Sequence, residues 1–206
     1  MRPRARLASL LAALLAALVP GCASKLPQTP QFFTIDAPAP AASPSGTRVV
    51  SLRRADVAPP YGGASIVYRV GDHAIERDPY ASLADPPSWM LSSAIRGYLQ
   101  NADFVRGVVS PAERLTVDAA IEPVITDLAG DFTSPAEPAA VLAIQFRVLE
   151  AEPATGAMRA VLVKSYTRRM PIPQRAADAV VAGWNRALGE IMSEFVADLK
   201  GALPPP

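Results

Sequence analysis

Two side chains of types that do covalent or acid–base chemistry near neutral pH occur once each in this chain of 206 residues, Cys22 and His73. A lone thiol can be acylated or oxidised, and a lone imidazole can shuttle a proton. A Ser–His–Asp or Cys–His arrangement could be built only around His73. That residue follows Gly71-Asp72 in a turn signal, where a solvated histidine is the ordinary occupant. A zinc site of His and Cys ligands fails on ligand count. No acidic loop of calcium-binding spacing and no glycine-rich phosphate cradle occur. Asp118 and Glu122 share a strand face only if the strand runs on regularly to Pro123, and both read as surface charge. The pair Arg168-Arg169 could serve a membrane or a partner, but two charges are a weak signal. The expectation is a non-catalytic chain with no metal and no cofactor, whose covalent chemistry belongs to Cys22.

The residues before Cys22 position that thiol. Arg2, Arg4 and Arg6 precede a run of thirteen Leu, Ala, Ser and Val residues from Leu7 to Val19. Such a run is short for a membrane-spanning helix and suits the apolar region of a signal peptide. It ends in Val19-Pro20-Gly21-Cys22, which resembles the bacterial lipobox, with the small residue that the peptidase needs just before the thiol. The alternative is a plain secretory signal with an incidental cysteine. An unmodified lone thiol in an oxidising compartment would invite intermolecular pairing, which acylation prevents. By resemblance to bacterial lipoproteins, three acyl chains, palmitate among them, would hold the protein on a membrane. Ala23-Ser24 follow the cysteine without the Asp that retains such proteins at the inner membrane, which favours the outer one.

Signal peptide 1–21, lipidated tether 22–46 and folded domain 47–202 divide the chain. Removal of residues 1–21 leaves 185, enough for one domain with a real core. The formal net charge is +1 with no basic block, so nucleic acid is not a partner. Residues 23–46 are rich in Pro, Ala, Ser and Thr and read as a semi-extended tether. Within it Phe32-Phe33-Thr34-Ile35 is expected to dock as a strand or against the core. Strands are expected at Arg48–Leu52 and Ser65–Val70, with a loop at Pro59–Gly63 between them and a hairpin through Gly71-Asp72 into His73–Arg77. A helix follows Pro86-Pro87 to about Asn101, its face made of Leu91, Ile95, Tyr98 and Ala102. Alternation marks Leu115–Ile121 and the run through Leu142, Ile144, Phe146 and Val148, and Met158–Thr167 returns from a turn at Glu152–Gly156. From Ala176 to about Lys200, Val181, Trp184, Leu188, Ile191, Phe195 and Leu199 form one helical face. Trp89 and Trp184 read as core or partial-core anchors rather than ligand stackers. The fold expected is α+β, an antiparallel sheet with two helices packed on one face.

Several segments in order resemble the transport-auxiliary lipoproteins of MCE-type (mammalian cell entry) ABC systems. They are Phe33-Thr34-Ile35 soon after the cysteine, the strand Val49–Leu52, the loop Pro59-Pro60-Tyr61, and Ile66-Val67-Tyr68-Arg69. The segment Tyr80-Ala81-Ser82-Leu83-Ala84-Asp85-Pro86 then leads into the first helix, with leucine where the family has tryptophan. The resemblance implies an outer-membrane lipoprotein that docks on a periplasmic MCE-domain subunit and its permease and ATPase. Those systems move phospholipids or other hydrophobic molecules between membranes. A homo-oligomer is compatible with this role. Partner contacts are expected at Tyr61, Tyr80 and Leu83, aromatic or apolar residues in regions read as loops. Their alternative is to cap the end of the sheet. The second functional reading is a structural or assembly lipoprotein of lipopolysaccharide or β-barrel biogenesis; a periplasmic hydrolase is a distant third.

Overall fold

The computed structural model describes residues 29–37, 39–41, 46–152 and 157–203. In chain order the elements are β1 (Gln31–Phe33), β2 (Arg48–Leu52), β3 (Asp56–Val57), β4 (Ser65–Arg69), β5 (Ile75–Leu83), α1 (Pro87–Gln100), β6 (Val105–Val109), β7 (Ala119–Asp131), β8 (Ala139–Ala151), β9 (Met158–Pro171) and α2 (Ala177–Ala202). They form an α+β fold in which one nine-stranded sheet carries both helices. Cys22, expected to be lipidated, and the expected signal peptide 1–21 lie outside the described residues.

β7 is the hub. On one edge it pairs antiparallel with β8, which pairs antiparallel with β9. Its other edge takes β2, β3 and β4 end to end, all parallel to it. β6 lies beyond β2, and β5 and then β1 lie beyond β4. The expected antiparallel pairing runs through β4–β5 and β7–β8–β9, and the strands at the other edge of β7 add parallel pairs that make the sheet mixed. Period-two alternation tells which face a side chain takes, but not which neighbour a strand has or how that neighbour runs.

Three local assignments change. The alternation of Leu115–Ile121 yields a strand only from Ala119, and Leu115 is 58% exposed. Pairing starts where β2 supplies a partner, with the Asp118 N–H donating to the Val49 carbonyl at 2.8 Å. Pro123, which looked like a terminus, lies inside β7. Ile121 and Ile125 turn their carbonyls to the N–H groups of Arg53 and Ala58, both at 2.9 Å. Pro123 has the same parity, so its missing N–H falls at the break between β2 and β3, where no donor is needed. Finally, β5 runs on through Tyr80–Leu83, a stretch read as loop.

Both helices lie on the same side of the sheet. Pro87 opens α1 at a position that needs no N–H. On α2 the apolar face predicted from its spacing is buried. Phe195 stacks on Phe146 with centroids 3.8 Å apart, and Tyr166 meets both edge-on. The Trp184 indole N–H donates to the carbonyls of Ala129 at 3.2 Å and Val141 at 3.1 Å, so its one polar atom is satisfied inside the core. Along the flank of α2, Lys164 reaches Glu194 at 2.9 Å and Asp198 at 2.7 Å, and Arg168 reaches Glu190 and Glu194 at 3.0 and 2.6 Å. Arg169 pairs with Asp131 at 3.4 Å. The Arg168-Arg169 pair is thus already engaged by carboxylates.

Residues 34–37 and 39–41 form a strap across the helix layer. Ile35 and Ala37 are buried, the Asp36 N–H donates to Asn185 Oδ1 at 3.0 Å, and Asn101 Nδ2 donates to the Pro40 carbonyl at 2.7 Å. The aromatic cluster does dock, as β1 and this strap.

Candidate functional site

His73 is exposed in the turn between β4 and β5. Among the described residues no group of three or more His, Cys, Asp or Glu could hold a metal. None of the described helices is long and apolar enough to cross a membrane.

The three expected contact residues have different fates. Tyr80 is 48% exposed in β5, on the strand face opposite buried Ala81 and Leu83. Leu83 is 3% exposed and belongs to the core, because the segment read as loop is a strand whose alternate residues face the helices. Tyr61 packs partly against the core and accepts a hydrogen bond at 3.4 Å from Arg69 Nη2, which also donates to Asp127 at 2.6 Å. Burial raises the pKa of its hydroxyl. No described hydrogen bond or ring contact joins Tyr61 to Tyr80.

Asp78 shapes the strand beneath Tyr80. Its carboxylate accepts from the N–H groups of Tyr80 and Ala81, both at 2.8 Å, and from the Tyr68 hydroxyl at 2.6 Å. Partial burial alone would raise its pKa, but these bonds outweigh it and hold the carboxyl below its ordinary range. A lowered folded-state pKa contributes stability that is present above the unfolded value, near 4, and is lost as pH falls through the folded one. Tyr68→Phe should therefore cost about 1.5–3 kcal/mol at neutral pH, as expected for a hydrogen bond to a charged group. The gap from wild type should shrink below about pH 4. Urea melts at pH 7 and pH 3 measure this, and a gap of equal size at both would break the assignment.

A site that sequence reading missed lies at the start of α1. Trp89, taken for a core anchor, is 56% exposed, and the Arg54 guanidinium lies 3.6 Å above its ring. Beside the ring is a groove of about 810 Å³ between α1 and the strap, lined by Ile35, Ala37, Pro86, Met90 and Ala94 together with the carboxylates Asp36 and Asp85. A smaller cleft of about 250 Å³, lined by Arg53, Arg54 and Arg96, also borders the ring.

The family model for the ABC-type transport auxiliary lipoprotein component matches residues 33–196. The chain belongs to that family. The solved structures similar to this auxiliary lipoprotein support its fold. Protein XCC0632 from Xanthomonas campestris superposes with a TM-score of 0.67 at 17% identity, over 82% of this chain and 93% of that one. An uncharacterized protein gives 0.64 at 13% identity, over 84% and 99%. The hypothetical protein CT253 from Chlamydia trachomatis gives 0.52 at 11%, over 77% and 98%. A search of curated proteins finds no match. The family makes the chain an auxiliary component of ABC-type transport and a lipoprotein, hence membrane-anchored.

Proposed function

We propose that this auxiliary lipoprotein is a non-catalytic outer-membrane subunit of an MCE-type system moving phospholipids or other hydrophobic molecules between membranes. In this reading it is lipidated on Cys22 and binds a periplasmic MCE-domain subunit. The family match carries the reading, and the lone cysteine behind a signal-like run supports its anchoring. The fold supports it by leaving Tyr80 and Trp89 exposed where a partner could cover them. Of the contacts expected from sequence, Tyr80 presents an exposed ring and Tyr61 a half-buried one, and both belong to the proposed docking region. Leu83 would act from within, by holding β5 in place.

One purification tests both halves. The protein solubilised from the outer membrane should carry an acylated N-terminal cysteine by mass spectrometry and bring down the co-encoded MCE-domain subunit. Cys22→Ser should leave an unprocessed precursor or a released protein. A wild-type chain that is unacylated and begins elsewhere removes the anchor. Retrieval of β-barrel or lipopolysaccharide assembly factors in place of the MCE subunit removes the transport role.

A further inference from the structure

We infer that Trp89 and Arg54 form a docking site for a segment of a partner protein that presents apolar side chains beside carboxylates. The inference deepens the proposed auxiliary role, and rests on it for the identity of the partner.

Trp89 is not a misplaced core residue. The buried face of α1 contains Leu91, Ile95 and Tyr98, and Trp89 stands two positions before Leu91, roughly 200° around the helix. Its ring is left in water beside an apolar groove, although burying an aromatic of that size would be favourable. The strap builds the far wall of the groove through Ile35 and Ala37.

The smaller cleft supplies the charge. Arg54 has the Trp89 ring as its partner and no carboxylate among the described residues. Arg96 donates to the Val108 carbonyl at 2.6 Å. Arg53 reaches Glu122 at 3.1 Å, but that carboxylate is shared with Arg147 at 3.4 Å. The walls of that cleft thus hold three guanidinium groups and, among the described residues, no carboxylate, whereas the adjoining groove holds Asp36 and Asp85. Charge complementarity places the occupant's carboxylates at the cleft and leaves its apolar side chains for the groove, which is far larger than an ion needs. Trp and Arg are also the residue types most enriched where truncation costs an interface most.

Trp89 is its own reporter, because the other tryptophan, Trp184, is 1% exposed. The full domain is titrated with an amphipathic peptide of Leu and Glu and with its Leu and Lys counterpart, following tryptophan emission. The acidic peptide should shift the emission to the blue and the basic one should not. Arg54→Glu should weaken binding about tenfold or more, and Trp89→Phe should abolish the signal, with thermal melts showing both variants folded. Equal responses to the two peptides, or an unchanged affinity in Arg54→Glu, overturn the site. A response to phosphatidylglycerol vesicles with none to the acidic peptide assigns the surface to lipid and overturns it too. So does a homo-oligomer that Trp89→Ala disperses, when the acidic peptide gives no response, because the occupant is then a second copy. The MCE-domain subunit provides the separate arm. If wild type fails to bind it while the peptide response holds, the proposed function falls and this site stands. If wild type and Arg54→Glu bind it equally, the site falls and the function stands.

Discussion

Replacing Phe195 with alanine should lower the melting temperature by roughly 10 °C. Phe195 is fully buried and lies flat on Phe146, with Tyr166 against the edge of both rings. Deleting such a ring removes its transfer free energy and leaves a cavity that two aromatic neighbours cannot fill, a cost of about 3–5 kcal/mol. In a domain of this size each kcal/mol moves the melting point by about 2–4 °C. Glu194, one residue earlier, pairs with Lys164 and Arg168 at the surface, where such pairs contribute about 0–1 kcal/mol. Glu194→Ala should therefore move the melting point by no more than a few degrees. Equal small shifts in the two variants, measured by circular dichroism, would mean that α2 does not pack as described.

Gly183→Val should also destabilise, for the opposite reason. A β-carbon at Gly183 would lie 2.4 Å from Ala140 Cβ and 3.2 Å from Ile172 Cγ2. Ala140 Cβ is attached directly to the backbone of β8, so no side-chain rotation relieves the clash. Either the helix or the strand must move, and overpacking of this kind costs about 1–3 kcal/mol. Displacement of α2 would also disturb the next residue, Trp184, whose indole bonds to two sheet carbonyls depend on that close approach. Gly201→Val is the control, since nothing lies within 4 Å of its β-carbon position. Valine is also a better helix former than glycine, so that change should be neutral or slightly stabilising. A Gly183→Val protein as stable as wild type would show that the helix rides higher on the sheet.

The long helix was legible because its face repeats over many turns, and every apolar residue named from its spacing is buried. β8 was legible for the same reason, with Leu142, Ile144, Phe146 and Val148 on one side. The partners of β7 were not, because parallel pairing joins Val50 to Ala119 across a stretch that carries no local signal. Pro123 misled because it reads as a strand end, yet it sits where the neighbouring strand is interrupted. Leu83 was misplaced because β5 runs on through a stretch that reads as loop. Trp89 was available to the same helical arithmetic that placed Leu91 and Ile95, but its residue type suggested a core that its position denies. Arg54, in contrast, could not be connected to it without the fold, since the two come together only when β3 and α1 are side by side.

The strap also determines how the molecule bears load. Tension applied from the N-terminal side meets β1 first, and β1 is three residues held along one edge by β5. Behind it stand the seats of Ile35 and Ala37 and the single bonds to Asn185 and Asn101, all before the first bond of the central sheet. Short elements with few buried contacts open at a lower free energy than the core they cover. A pull on the proposed tether would therefore be taken up by this outer layer, which gives up β1 and one wall of the groove beside Trp89 before β7, β8, β9 and α2 open.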